Sequence, residues 1–196
     1  MKIILASASP RRRNILKKFI DFNVLPSRIE EKYRKNMKPE EVSMYLSIIK
    51  GLDVADRVED EDSIVIAADT IVYLDKILEK PKNKEEAKKY LKLLKNRKHS
   101  VYSGYSIIRK IDLKKITDYE KTDVYFGDYD DDFIDSYLDK NEYEDKAGAY
   151  AIQGFGSLFV KKIQGDYLNV MGFPLYSVSQ SLKNNFNINL MIQEGE

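Results

Sequence analysis

The chain has 196 residues, enough for one large domain or two tightly joined lobes with a real core. Thirty-three basic side chains stand against 32 acidic ones, a net charge of +1, which argues against a dedicated nucleic-acid binder because such affinity rests on a basic surface. Cysteine is absent, which excludes a disulfide scaffold and thiolate chemistry; no apolar stretch approaches a membrane span, and no signal-peptide pattern opens the chain, so a cytoplasmic protein is expected.

Residues 2–6 (KIILA) read as a buried strand. In SASPRRR, residues 7–13, Ser9 can cap the helix that follows, Pro10 suits its first turn, and Ile15, Leu16 and Phe19 supply an apolar stripe. Residues 22–25 form a short second strand. Pro39 opens a longer helix with Val42, Tyr45, Leu46, Ile49 and Leu52 on one face, interrupted by Lys50. SIVIAA (63–68) is a buried strand ending at Asp69, and IVYLDKILEK then suggests a hairpin turning near Asp75 and Lys76. Asn83 caps a helix whose stripe is Ala87, Tyr90, Leu91 and Leu94.

Two long strands follow, at about 100–109 and 115–126, and then a helix with Phe133, Ile134, Tyr137 and Leu138. The acidic run DYDDDFID (128–135) has a plain explanation, since carboxylates favour a helix N-terminus. A segment rich in glycine and aromatic residues, 145–172, holds a strand at SLFVKKI, and Pro174 starts a last helix bearing Leu175, Val178, Leu182 and Phe186. Strands and helices alternate without repeat or linker, which indicates an α/β architecture with an antiparallel pair inside a mixed sheet.

Three features carry chemistry. The strand-to-helix corner at Ser7–Arg13 favours an anion, because backbone N–H groups and arginine forks match phosphate oxygens; a capped helix with solvated arginines explains the same residues. Asp69 can hold a divalent cation or accept a proton from water, or simply form a turn. Lys50, Lys80 and Lys146 each read singly as solvated lysines, and His99, the only histidine, as a structural one. Neither GxxxxGK[ST] nor a strand-borne GxGxxG occurs, so kinase, GTPase and dinucleotide readings lose their usual support.

Taken together, LASASPRR (5–12), SRIEE (27–31), SIIKGLDVAD (47–56), IVIAADTIV (64–72), EKP (79–81), HSVYSG (99–104) and the block DKAGAYAIQGFGSLFVKKIQGDYLNVMGFPL (145–175) resemble the Maf family of nucleoside triphosphate pyrophosphatases nearly end to end. The resemblance implies a single Maf-like domain over 1–196, with the ITPase-like architecture of a mixed twisted sheet in two lobes about a central cleft. It implies hydrolysis of a nucleoside triphosphate to monophosphate and pyrophosphate with Mg²⁺ or Mn²⁺. It maps Ser7, Ser9, Arg11, Arg12 and Arg13 onto the phosphate corner, and Glu31, Lys50, Asp69, Lys80, Asp145, Lys146 and Gln153 onto the same cleft. Asp69 matches the family's proton acceptor, with Lys50 and Lys80 beside it in catalysis and Glu31 and Asp69 as metal contacts.

Arg11, Thr70 and Gln153 are similar to the dTTP/UTP subgroup, and a glutamine amide suits the O4 and N3–H edge of uracil or thymine. Glu79 stands where the family carries glycine and Gly51 where it carries alanine. Modified pyrimidine nucleotides are a second substrate class, a nucleotide-binding regulator of cell division without turnover is the alternative from another class, and a homodimer is compatible with the family.

Overall fold

The computed structural model describes residues 1–192. It holds one mixed sheet whose strands are β1 (Lys2–Leu5), β2 (Asn23–Val24), β3 (Ser63–Leu74), β4 (Lys76–Leu78), β5 (Lys98–Arg109), β6 (Lys115–Phe126) and β7 (Val160–Gln164). Their order is β2-β1-β3-β5-β6-β7, with β4 paired to β3. β1 runs parallel to both β2 and β3, whereas β4 is antiparallel to β3 and β7 to β6. The helices are α1 (Pro10–Leu16), α2 (Pro39–Arg57), α3 (Lys84–Leu94), α4 (Asp131–Leu138), α5 (Tyr167–Val170) and α6 (Leu175–Phe186). The α/β class is as expected, and no helix among the described residues is long and apolar enough to cross a membrane.

The contacts divide the chain into two compact units: Met1–Asp69 with Ser103–Glu120 and the chain from Gly172 onward, and Thr70–Tyr102 with Lys121–Met171. Strands β3, β5 and β6 each contribute residues to both.

In the first unit, α2 covers one face of the sheet. Ile4, Ala6, Val65, Ala67 and Ile108 meet Val54, Ala55 and Val58 in its core. Side chains alternate along a strand, so Val65, Ala67 and Asp69 share the face that meets α2. The buried side of α2 is Val42, Ser43, Leu46, Ser47, Lys50, Gly51, Val54 and Ala55. Tyr45 and Leu52, expected on that stripe, are exposed instead. The reason is close packing against β5: a Cβ on Gly104 would stand 2.2 Å from the carbonyl carbon and oxygen of Ser43. Only small residues fit along this seam, so Ser43, Ser47 and Gly51 turn inward and the larger Tyr45 and Leu52 turn out. Ser47 Oγ lies 2.8 Å from Ser106 Oγ, which is 3.0 Å from half-buried Thr117 Oγ1, so the hydroxyls partner one another across α2, β5 and β6. At Gly51 a Cβ would come within 2.9 Å of Ile108 Cδ1, so Ile108 occupies the room that alanine would need.

The second unit is built on aromatic packing. Phe126 contacts His99, Tyr150 and Phe159 at ring-centroid distances of 4.9, 4.8 and 5.6 Å, and Phe159 also meets Tyr129, Phe133 and Tyr137. Asn83 accepts from Glu86 N as expected, and Asp130 caps α4 by accepting from Phe133 N. The acidic run does more than cap. Asp128, Asp131, Asp135 and Asp139 pair with Lys95, Lys92, Lys88 and Lys84, which zips α4 antiparallel to α3. These pairs are water-exposed, so they fix register more than they stabilise.

Two local expectations fail. Ser9 stands at the N-cap position of α1, yet its side chain caps nothing; its N–H donates to Ser7 Oγ instead. And β3 does not end at Asp69 but continues to Leu74, because the burial pattern resumes at Ile71, Val72 and Leu74 and Asp69 finds a side-chain partner without a turn into water.

Candidate active site

The opening corner is organised by Ser7, which is buried just after β1. Its Oγ accepts from Ser9 N and from Arg12 Nη1, both at 3.2 Å. Arg12 Nε donates to Gly172 O at 2.8 Å, which ties α1 to the segment before α6. Burial pulls the Arg12 guanidinium below the usual arginine range; the nearby carboxylates of Asp69 and Glu31 oppose that, and the charge of Arg11 reinforces it. Arginine remains protonated regardless, so Arg12 keeps its charge within electrostatic reach of those two acids. Since α1 is only seven residues long, side chains rather than a helix dipole supply the positive charge here.

Asp69 projects from the α2-facing side of β3 and is 5% exposed. The Lys50 ammonium, from the buried side of α2, donates to Asp69 Oδ1 and, at 2.7 Å, to Glu31 Oε1. Glu31 belongs to a loop that α2 itself holds. Asp53 Oδ2 accepts from Arg28 N at 2.9 Å, and Arg57 Nη2 donates to Pro26 O at 2.7 Å and to Asp53 Oδ2 at 3.0 Å. One helix therefore supplies the lysine and anchors the loop that brings it a second carboxylate. Sequence reasoning missed Asp53 and Arg57; their i,i+4 spacing just beyond Lys50 is the signal that could have found them.

The other expected residues are placed as follows. Ser7, Arg12, Glu31, Lys50 and Asp69 form one hydrogen-bonded and electrostatic cluster in the first unit. Arg11 and Ser9 are half-buried in the same corner. Arg13 departs from it, lining a shallow groove with Lys17, Ile20, Asp21, Phe22 and Val24. In the second unit, Gly148 N donates to Glu79 O at 3.2 Å, which brings the loop of exposed Lys80 next to Asp145 and Lys146. Lys146 Nζ donates to Glu144 O at 2.8 Å. Thr70 is half-buried in β3 and Gln153 is exposed just before a 3₁₀ segment, Gly154–Phe159. The carboxylate of Glu79 is felt by Tyr90, whose hydroxyl is pushed up to about 12 by burial first and then by Glu86 and Glu79.

His99 is structural, as expected. It is 2% exposed, its Nε2 pairs with Tyr150 Oη at 2.8 Å, and burial drives its pKa down to about 3 against a small upward pull from Asp123.

Known proteins extend this picture. The Maf-like protein family matches residues 2–185. A dTTP/UTP pyrophosphatase from Thermoanaerobacter sp. (strain X514) is 46% identical over 193 residues, covering 97% of this chain and 100% of that protein. Another from Alkaliphilus oremlandii (strain OhILAs) is 46% identical over 191 residues, covering 97% and 99%. A third, from Clostridioides difficile (strain 630), is 43% identical over 192 residues, covering 97% and 98%. Among solved structures, a HAM1 protein from Coxiella burnetii aligns over 64% of this chain and 73% of that one, at 15% identity and a TM-score of 0.46. Identity of this degree runs over 97% of this chain and almost the whole of each relative, and the chain belongs to the Maf-like protein family.

Proposed function

We propose that the chain hydrolyses dTTP and UTP to the monophosphate and pyrophosphate. The observation that supports this most is the convergence of Lys50, Asp69 and Glu31 beside the half-buried Arg12: a proton-accepting carboxylate next to fixed positive charge. Phosphoryl transfer needs little else from a protein, since catalysis there is mostly positioning and charge stabilisation. The names of its relatives, each a dTTP/UTP pyrophosphatase, support the substrate class.

In this reading a water oxygen bonds to the α-phosphorus, the bond from that phosphorus to the bridging oxygen of the β-phosphate breaks, and pyrophosphate leaves with the bonding electrons. Asp69 takes the proton that water loses. Arg12 and Lys50 offset the charge of the phosphate oxygens, and Ser7 holds Arg12 in place for that task. For Ser9, Arg11, Arg13, Thr70, Lys80, Asp145, Lys146 and Gln153, the family resemblance is the support for a role in substrate binding or, for Lys80, in catalysis.

The donor set suits a divalent cation. Glu31 and Asp69 already converge on one cation, the Lys50 ammonium, and Mg²⁺ is commonly held by one or two carboxylates with phosphate and water completing its shell. Among the described residues no group of three or more His, Cys, Asp or Glu side chains is placed to hold a metal; the family resemblance and the shared ammonium are the support for assigning it to Glu31 and Asp69. When bound, such an ion would draw charge from the phosphate oxygens. The near-neutral net charge argues against a nucleic-acid partner, the names of the relatives support a nucleotide one, and the lack of cysteine supports a cytoplasmic setting.

The test is pyrophosphate release from a panel of canonical and 5-substituted pyrimidine and purine triphosphates in Mg²⁺ and in Mn²⁺, with the nucleotide product identified. We expect the highest kcat/KM for dTTP, UTP or their 5-substituted analogues, with monophosphate as product. Tight nucleotide binding without turnover would instead mark a regulator, and a purine preference would overturn the base assignment.

A further inference from the structure

We infer that Lys50 is a built-in counter-ion of the metal site, one that must leave Glu31 and Asp69 before a divalent cation can use them, and that the triphosphate aids this exchange by receiving the lysine's charge. This rests on the proposed reading of the site and adds to it a rule for the order and coupling of binding.

Each of the two carboxylates gives an oxygen to the same ammonium. Lys50 and Arg12 already offset Glu31 and Asp69, and Arg11 adds a further positive charge nearby. A divalent ion added to that arrangement leaves excess positive charge in a site where Lys50 and Asp69 are only 9% and 5% exposed, so screening by water is weak. Helix α2 cannot withdraw to relieve this. Its backbone abuts Gly104 and its Ser47 is bonded to Ser106, and it also holds the Glu31 loop through Asp53 and Arg57.

What can move is the lysine stem, four flexible carbons ending in a compact charge. Glu31, with a side chain 44% exposed, is the member of the trio reachable from water. A triphosphate offers the displaced ammonium new oxygens, so substrate and cation should tighten each other's binding by the same factor.

The experiment measures Mn²⁺ affinity without nucleotide, by electron paramagnetic resonance, for the wild type and Lys50→Gln. Removing the competing ammonium should tighten Mn²⁺ binding about tenfold, within the usual range for coupled sites. A non-hydrolysable triphosphate should tighten Mn²⁺ binding to the wild type and lose most of that effect on Lys50→Gln. Equal or weaker Mn²⁺ binding by Lys50→Gln overturns the inference.

Because that variant removes a buried charge and can fail to fold, a second arm uses the wild type alone. Acylation of Lys50 by an amine-reactive ester, mapped by mass spectrometry, should accelerate when Mg²⁺ frees the ammonium from its carboxylates; an unchanged rate overturns the inference by itself. Neither the nucleotide-free metal titration nor the acylation depends on turnover. Displacement without hydrolysis would therefore sink only the function, and hydrolysis without displacement only this inference.

Discussion

Replacing Gly104 by alanine tests whether the seat of α2 on β5 sets the active-site geometry. The added Cβ would lie 2.2 Å from the carbonyl carbon and oxygen of Ser43 and 2.4 Å from Met44 N, where ordinary contact begins at 3.4 Å. Relief requires helix and strand to part by about 1 Å, because every atom in conflict is backbone and none can rotate away. We expect a loss of about 3 kcal/mol, the upper end of the usual overpacking range. For a chain of this size that corresponds to a fall of roughly 6–12 °C in Tm. Lys50 lies seven residues along the same helix, about 10 Å up its axis, so the displacement reaches its ammonium and the loop it meets. Misplacing a catalytic group by that much costs about a hundredfold in rate. The assays are thermal unfolding by circular dichroism and pyrophosphate release at saturating nucleotide, on protein shown to be folded at the assay temperature. A variant with wild-type Tm and turnover would refute the reasoning from helix seating to chemistry.

Asp69→Asn keeps the shape of the side chain and removes the proton acceptor; single-turnover hydrolysis should slow about a hundredfold or more, and a rate within a few-fold of wild type would take Asp69 out of that role. Arg12→Ala loses the bonds to Ser7 Oγ and Gly172 O and the charge beside Asp69, so KM should rise about tenfold or more, with Arg12→Lys recovering little because an ammonium cannot reproduce the fork; an unchanged KM counts against a phosphate contact. His99 makes stability depend on pH. Its folded value of about 3 lies below the ordinary 6.5, so its contribution is complete above pH 6.5 and is lost as pH falls from there toward 3. Urea unfolding at pH 7.5 and 5.5 should differ by about 1.4 kcal/mol, equivalent to one proton over one effective pH unit. His99→Gln should abolish that difference, and a wild type of equal stability at both values would contradict the buried neutral ring.

Local chemistry was legible wherever its partners were near in sequence. The Asn83 and Pro10 helix starts, the hairpin after Asp75 and the strands on either side of residue 112 all follow from short-range signals. The buried side of α2 was legible only in part: Val42 and Leu46 are buried as expected, but Gly104, about sixty residues away, selects Ser43, Ser47 and Gly51 over Tyr45 and Leu52. The same limit hid the continuation of β3 through Asp69. An aspartate in an apolar run suggests a turn until a lysine from another element is known to meet it. The cluster of Ser7, Arg12, Glu31, Lys50 and Asp69 was reached through family resemblance; spacing alone left each residue with an ordinary explanation. Consecutive arginines in a helix point about 100° apart, which is why Arg13 lines a different groove from the corner that holds Arg12.

The serine at the strand-to-helix corner has already been committed to one kind of partner. Both lone pairs of Ser7 Oγ are engaged by incoming N–H groups, so its remaining capacity is a single outgoing O–H. Whatever next approaches that oxygen is met by a hydrogen-bond donor and must bring an acceptor of its own. Ahead of any binding event, the hydroxyl discriminates for ligand oxygens that lack a proton, and two neighbouring N–H groups have set that preference.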